Sequence, residues 1–239
     1  VVTQDDQIVV HHDLTVSTKF CARSDGSRIP SQLWIRDLSL EKIRSFDCGS
    51  LNNPQFPKQS LAPGAKIPSL REVLEFLKTS PNPRAATVKL NLETKILPAH
   101  PERSAEPVLF ANLLVGLLNE YNMTNRAIVQ SFDHRVLLAV KDLNPKIQTA
   151  ALIADNLPID LVRVARLARA DIVSPQAAWI TKEQVRTLKA VGIRVIPWTV
   201  NEADEWKRMI DLNVDGIITD DPEGLRAFLT RESTQAIKQ

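Results

Sequence analysis

The chain has 239 residues, 44% hydrophobic and 24% charged, ordinary values for a globular protein and enough for one large domain or two small ones. Its 30 basic and 28 acidic residues leave a net charge of +2 with no cluster of Lys and Arg, which gives no footprint for nucleic acid or a membrane surface. No apolar run approaches the ~18 residues of a membrane span, and the seven glycines form neither GxGxxG nor GxxxxGK, which removes the usual dinucleotide and P-loop readings.

Two short strands around a turn are expected first, at 1–3 and 7–12, with Gln4, Asp5 and Asp6 as turn formers; the second strand ends in His11-His12-Asp13. From Leu14 to Pro68 the periodicity fails at Pro30, Pro54, Pro57 and Pro63, apart from a short helix near 40–45. An excursion of this length in a compact domain is usually functional. Cys21 and Cys48, both within it, are too few and too far apart for a zinc site, so they are free thiols or one disulfide, with free thiols favoured. Ser69 and Glu72 form a capping box that opens a helix running through Lys78.

Residues 88–95, VKLNLETK, alternate with a period of two, Val88, Leu90 and Leu92 on one face and Lys89, Asn91, Glu93 and Lys95 on the other. A regular alternation follows: helix 106–121, strand 127–132, a helix capped by Asp133, strand 147–153, helix 161–168, strand 171–174, helix 181–191 closed by Gly192, strand 194–200, helix 202–212, strand 215–219 and a last helix begun by Asp221 and Pro222. Short connections between alternating strands and helices mean a parallel sheet, doubly wound or closed into a (β/α)8 barrel. The polar residues gather at strand C-terminal ends, where barrel sites lie, and a single domain spanning 1–239 is expected, with 14–68 as an insertion.

Four residues carry candidate chemistry. His12 ends a strand beside Asp13, a carboxylate able to orient its ring for proton transfer; the alternative is a structural histidine, which is the reading for His100 and His134. Glu93 is a hard oxygen ligand, and Lys95 on the same face can neutralise a phosphate oxygen; the alternative is an internal salt bridge. Trp198, at the end of the 194–200 strand, can wall a pocket or simply pack in the core.

Together the motifs VVHHD, LNLETK, VQSFD, IPWTVN and VDGIITDDP, in that order, resemble the glycerophosphodiester phosphodiesterase family, (β/α)8 barrels related to phosphatidylinositol-specific phospholipases. The resemblance runs from Val1 to about Leu225. It implies metal-dependent hydrolysis of a small-molecule glycerophosphodiester to glycerol 3-phosphate and an alcohol, with Mg2+ or Ca2+ as cofactor. His12 would be catalytic, Glu93 a metal ligand, and Lys95 and Trp198 substrate-binding residues. The 14–68 excursion, with FDCGSLNNPQFP, is similar to the insertion of exported members, so a periplasmic or secreted location is favoured over a cytoplasmic one.

The chain departs from the family pattern at its start. The family's His-Arg pair and Glu-x-Asp motif have no counterpart here, so a chain lacking the first β-α unit and most of the second strand is expected, with weak metal affinity and no measurable turnover on its own. Two other readings remain: a lipid phosphodiesterase of the sphingomyelinase D kind, and a non-catalytic barrel serving as a binding or structural module.

Overall fold

The computed structural model describes residues 1–154 and 159–236. It divides into two compact units, Val1–Ile147 and Gln148–Gln239. Among the described residues no helix is long and apolar enough to cross a membrane.

In the first unit the expected opening strands are single bridges. Val2 pairs with Ile8 across the turn, where Asp6 takes a positive φ of 55°, and Val9 pairs with Ser69. The excursion that looks patternless is organised around a small core that it shares with the opening segment, in which Val9, Val16, Cys21, Ile35, Ile43 and Phe46 are buried. Its secondary structure is minimal: β1 (Thr15–Val16) pairs antiparallel with β2 (Leu33–Trp34), and α1 (Leu40–Arg44) is capped by Ser39.

The expectation of free thiols is wrong, because Cys21 and Cys48 form a disulfide. Ala22 and Asp47 exchange both backbone hydrogen bonds, at 2.7 and 2.9 Å, so the flanking Cys21 and Cys48 stand opposite each other. The Asp47 carboxylate then accepts from the Gly49, Ser50 and Gly64 amides and from Ser50 Oγ. These bonds, led by the Ser50 hydroxyl, lower its pKa to about 2.

Helix α2 (Leu70–Thr79) starts at the expected capping box: Ser69 Oγ accepts from the Glu72 amide, and the Glu72 carboxylate accepts from the Ser69 amide at 2.8 Å. Strand β3 (Leu90–Thr94) is shorter than the alternation implies. The Val88 amide donates to the Arg84 carbonyl and the Val88 carbonyl accepts from the Arg126 guanidinium, so neither group is left for a ladder. Helix α3 (Pro107–Glu120) is capped by Glu106, and β4 (Ala127–Ser131) pairs parallel with β3 in the register Glu93 to Gln130. Asp133 caps α4 (His134–Leu143) as expected.

In the second unit β5 (Gln148–Ile153), β6 (Ile172–Pro175) and β7 (Arg194–Val195) pair in parallel, alternating with α5 (Leu161–Leu167), α6 (Lys182–Ala190), α7 (Ala203–Asp211) and α8 (Pro222–Ala236). Val173, Val185, Leu188, Val195, Trp206 and Met209 are among its core residues. The expected 194–200 strand is cut to two residues because Pro175 on the partner strand has no amide to offer the Ile196 carbonyl; pairing resumes as a single bridge at Trp198, where Ala177 donates to the Trp198 carbonyl. The expected 215–219 strand is not a regular one either. Asp215 donates to Val195 O and Ile218 to Pro197 O, a step of three residues against two that marks a bulge.

Candidate active site

Glu93 lies inside β3 and Lys95 just beyond its end, two residues apart, so both side chains leave the strand on one face. Lys95 Nζ sits 2.6 Å from Glu93 Oε1, and both side chains are four-fifths buried. The same ammonium is 3.2 Å from His12 Nε2 and lies 5.9 Å from the centre of the Phe132 ring. On the other side of the imidazole, Nδ1 is 2.7 Å from Asp13 Oδ1. The chain Glu93, Lys95, His12, Asp13 is thus continuous at hydrogen-bond or ion-pair distance, and it brings three of the four predicted residues together.

The contacts fix the tautomer of His12. A charged lysine has only donors, so Lys95 donates to Nε2; the ring proton is then on Nδ1, where Asp13 accepts it. The adjacent His11 is turned differently, with Nε2 3.1 Å from the Thr15 carbonyl and its ring 6.2 Å from that of Phe20. Burial lowers the His11 pKa, opposed by the Thr15 carbonyl.

A cavity of about 380 Å³ meets these groups, with His12, Asn91, Leu92, Glu93, Thr94 and Lys95 among its lining residues. Residues of both faces of the β3 alternation are among those that line it, Leu92 and Thr94 beside Asn91, Glu93 and Lys95. Two residues not singled out from sequence support the row. Gln130, 7% exposed, stands beside Glu93 in the β3–β4 register, and its Oε1 accepts from Asn91 Nδ2 at 3.0 Å. The polar break in AIVQSF is the only trace of this in the sequence.

Trp198 belongs to the second unit. Its indole nitrogen donates to the Ser174 carbonyl at 2.8 Å and its own amide to the Pro175 carbonyl at 3.1 Å, which holds the half-buried ring at the end of β6. His100 is exposed, 3.6 Å from Glu102, and His134 begins α4.

Glu93 offers one donor to a divalent ion. Glu93 Oε1 is buried and has no hydrogen bond, since Lys95 approaches it as an ionic contact outside hydrogen-bond geometry, and such an oxygen suits a cation. Yet among the described residues no three His, Cys, Asp or Glu side chains converge. The residues present do not fit Mg2+ or Ca2+ as a set.

The sequence model of the Glycerophosphoryl diester phosphodiesterase family matches residues 1–224. A glycerophosphodiester phosphodiesterase of Caldanaerobacter subterraneus subsp. tengcongensis is 30% identical over 226 residues, covering 93% of this chain and 80% of that protein. The crystal structure of a Silicibacter pomeroyi protein, 26% identical, superposes with a TM-score of 0.87 over 98% of this chain and 82% of that one. An Oleispira antarctica phosphodiesterase in complex with the product sn-glycerol-3-phosphate shares the fold at 17% identity, with a TM-score of 0.75 over 96% of this chain and 82% of that one. The chain therefore belongs to the glycerophosphoryl diester phosphodiesterase family, and its fold class is the (β/α)8 barrel.

Proposed function

We propose that the protein hydrolyses glycerophosphodiesters to glycerol 3-phosphate and an alcohol, with His12, Asp13, Glu93 and Lys95 in the working site. The observation that carries this reading is the Lys95 ammonium, held between a carboxylate at 2.6 Å and an imidazole nitrogen at 3.2 Å beside an open cavity. A phosphodiester anion entering there meets the ammonium directly, and Glu93 keeps that ammonium aimed. Water then adds across one P–O bond, its hydroxyl going to phosphorus and a hydrogen to the departing alcohol oxygen.

That hydrogen needs a carrier, and His12 is placed to be one. While Lys95 donates to Nε2 the ring stays neutral; once phosphate oxygens draw the ammonium away, Nε2 is released to hold a proton, and Asp13 steadies the resulting imidazolium.

Metal dependence is the finer part of this reading. The unbonded Oε1 of Glu93 supports a role as one ligand of Mg2+ or Ca2+, while the lack of converging partners among the described residues weighs against a complete site, so no step is drawn through an ion. The Cys21–Cys48 disulfide supports a periplasmic or secreted location, because such bonds persist in oxidising compartments. The test is release of glycerol 3-phosphate from glycerophosphocholine: any turnover should fall about 100-fold or more in His12→Ala. Turnover that survives that change overturns the assignment.

A further inference from the structure

A second cavity, of about 490 Å³, lies on the β1–β2 hairpin, with Asp13, Thr15, Ser17, Phe20, Gln32 and Gln55 among its lining residues. We infer that this groove receives the alcohol portion of the substrate and selects small, hydroxyl-rich alcohols. The inference rests on the phosphodiesterase reading above and deepens it.

Position is the first argument. His12 lines the cavity of Glu93 and Lys95, and Asp13, the next residue, lines the groove. The imidazole joins them, with Nε2 toward Lys95 and Nδ1 toward Asp13. A phosphate held by Lys95 therefore has the groove on its His12 side, and the substituent on that side of phosphorus extends along the hairpin.

Chemistry is the second. Of the apolar residues in the groove wall, Val16 and Ile29 are turned into the core of the insertion, with 1% and 4% exposure. What faces outward is mainly hydroxyl and carboxamide, together with the Asp13 carboxylate and the Lys19 ammonium. Such a wall offers donors and acceptors of both kinds, which suits a polyol. A quaternary ammonium wants aromatic faces, and the groove presents one aromatic ring, Phe20, already tilted against His11. An acyl chain finds no continuous apolar floor.

Rigidity is the third. Cys21, adjacent to Phe20, is tied to Cys48, and Gln32 Nε2 reaches Thr15 Oγ1 at 3.4 Å across the hairpin. The wall is held in shape before a ligand arrives, which lowers the ordering cost of binding.

The test is calorimetric binding of three probes, sn-glycerol 3-phosphate, glycerophosphoglycerol and glycerophosphocholine, to the wild-type chain and to Gln32→Leu, Gln55→Leu and Lys95→Met. Gln32 and Gln55 are exposed and come from separate segments, so a shared effect does not reflect one damaged loop. Wild type should bind glycerophosphoglycerol more tightly than glycerophosphocholine. Each glutamine variant should weaken glycerophosphoglycerol about fivefold, the scale of one hydrogen bond, and leave glycerol 3-phosphate within about twofold. Lys95→Met should weaken all three. Equal weakening of both glycerol ligands by the glutamine variants, or no change, overturns the groove as the alcohol site; a preference for the choline ester overturns the polyol class. If no probe binds wild type, the phosphodiesterase reading falls, and this inference with it.

Discussion

Removing the Cys21–Cys48 bond, as Cys21→Ala with Cys48→Ala, perturbs the element that shapes the hairpin groove. The two cysteines are 27 residues apart. Closing a loop of that size removes about 12 cal/mol/K of chain entropy from the unfolded state, or about 3.5 kcal/mol at 25 °C. Apart from its small buried core the insertion has little to replace it, since its strands are two residues long and its helix five. The loss should therefore appear first as local opening of 14–68. At 1.36 kcal/mol per decade, 3.5 kcal/mol speeds amide exchange there by about 400-fold. Hydrogen exchange read by mass spectrometry on peptides from 14–68 and from α6 and α7 separates local from global effects. Unchanged exchange in the insertion, or equal acceleration everywhere, would refute the claim that the bond staples this small core.

Other predictions concern the site and its surroundings. Glu72 has its pKa lowered from 4.5 to about 2, chiefly by Arg44, so its contribution to stability is present above 4.5 and is lost as pH falls from there toward 2; Glu72→Gln should flatten the thermal midpoint over that window. The half-buried His11 has a pKa below its ordinary 6.5, so the unfolded state takes up the proton first and stability declines as pH falls below about 6.5, a slope that His11→Gln should remove. Titration of Mg2+ or Ca2+ by calorimetry should show binding no tighter than about millimolar, given one carboxylate already paired with Lys95; saturation at micromolar ion would contradict the donor count. Asp13→Asn should alter the tautomer of His12, visible as a change in its ring nitrogen shifts by NMR, while Asp25→Asn on the far turn of the insertion should not.

Helix starts were legible because their signals are local. Ser69 with Glu72 and Thr181 with Gln184 form the capping boxes their spacing implies, and Asp133 caps α4. Helix ends were harder. Only Gly192 announces a left-handed residue, yet Asn122, Arg169 and Asn213 adopt the same positive φ, and in all four the next amide bonds back to a carbonyl five residues earlier. The insertion core was invisible, since its buried residues meet through single bridges and a disulfide whose partners no periodicity reveals. In the site, strand parity was enough to pair Glu93 with Lys95. The meeting of Lys95 with His12, 83 residues away, and of Gln130 with Asn91, 39 residues away, depends on register and chain path that a single sequence does not encode locally; the family resemblance implied roles for Lys95 and His12 but neither contact.

The central claim is that Lys95, aimed by Glu93 and coupled to His12, receives a phosphate. It is tested most directly by titrating sn-glycerol 3-phosphate into wild type and Lys95→Met while following the His12 ring by NMR. The account predicts saturable binding that shifts the Nε2 resonance as Lys95 turns to the phosphate, and about a tenfold or greater loss of affinity in Lys95→Met. Binding that ignores the substitution, or that leaves the His12 ring unmoved, would contradict it.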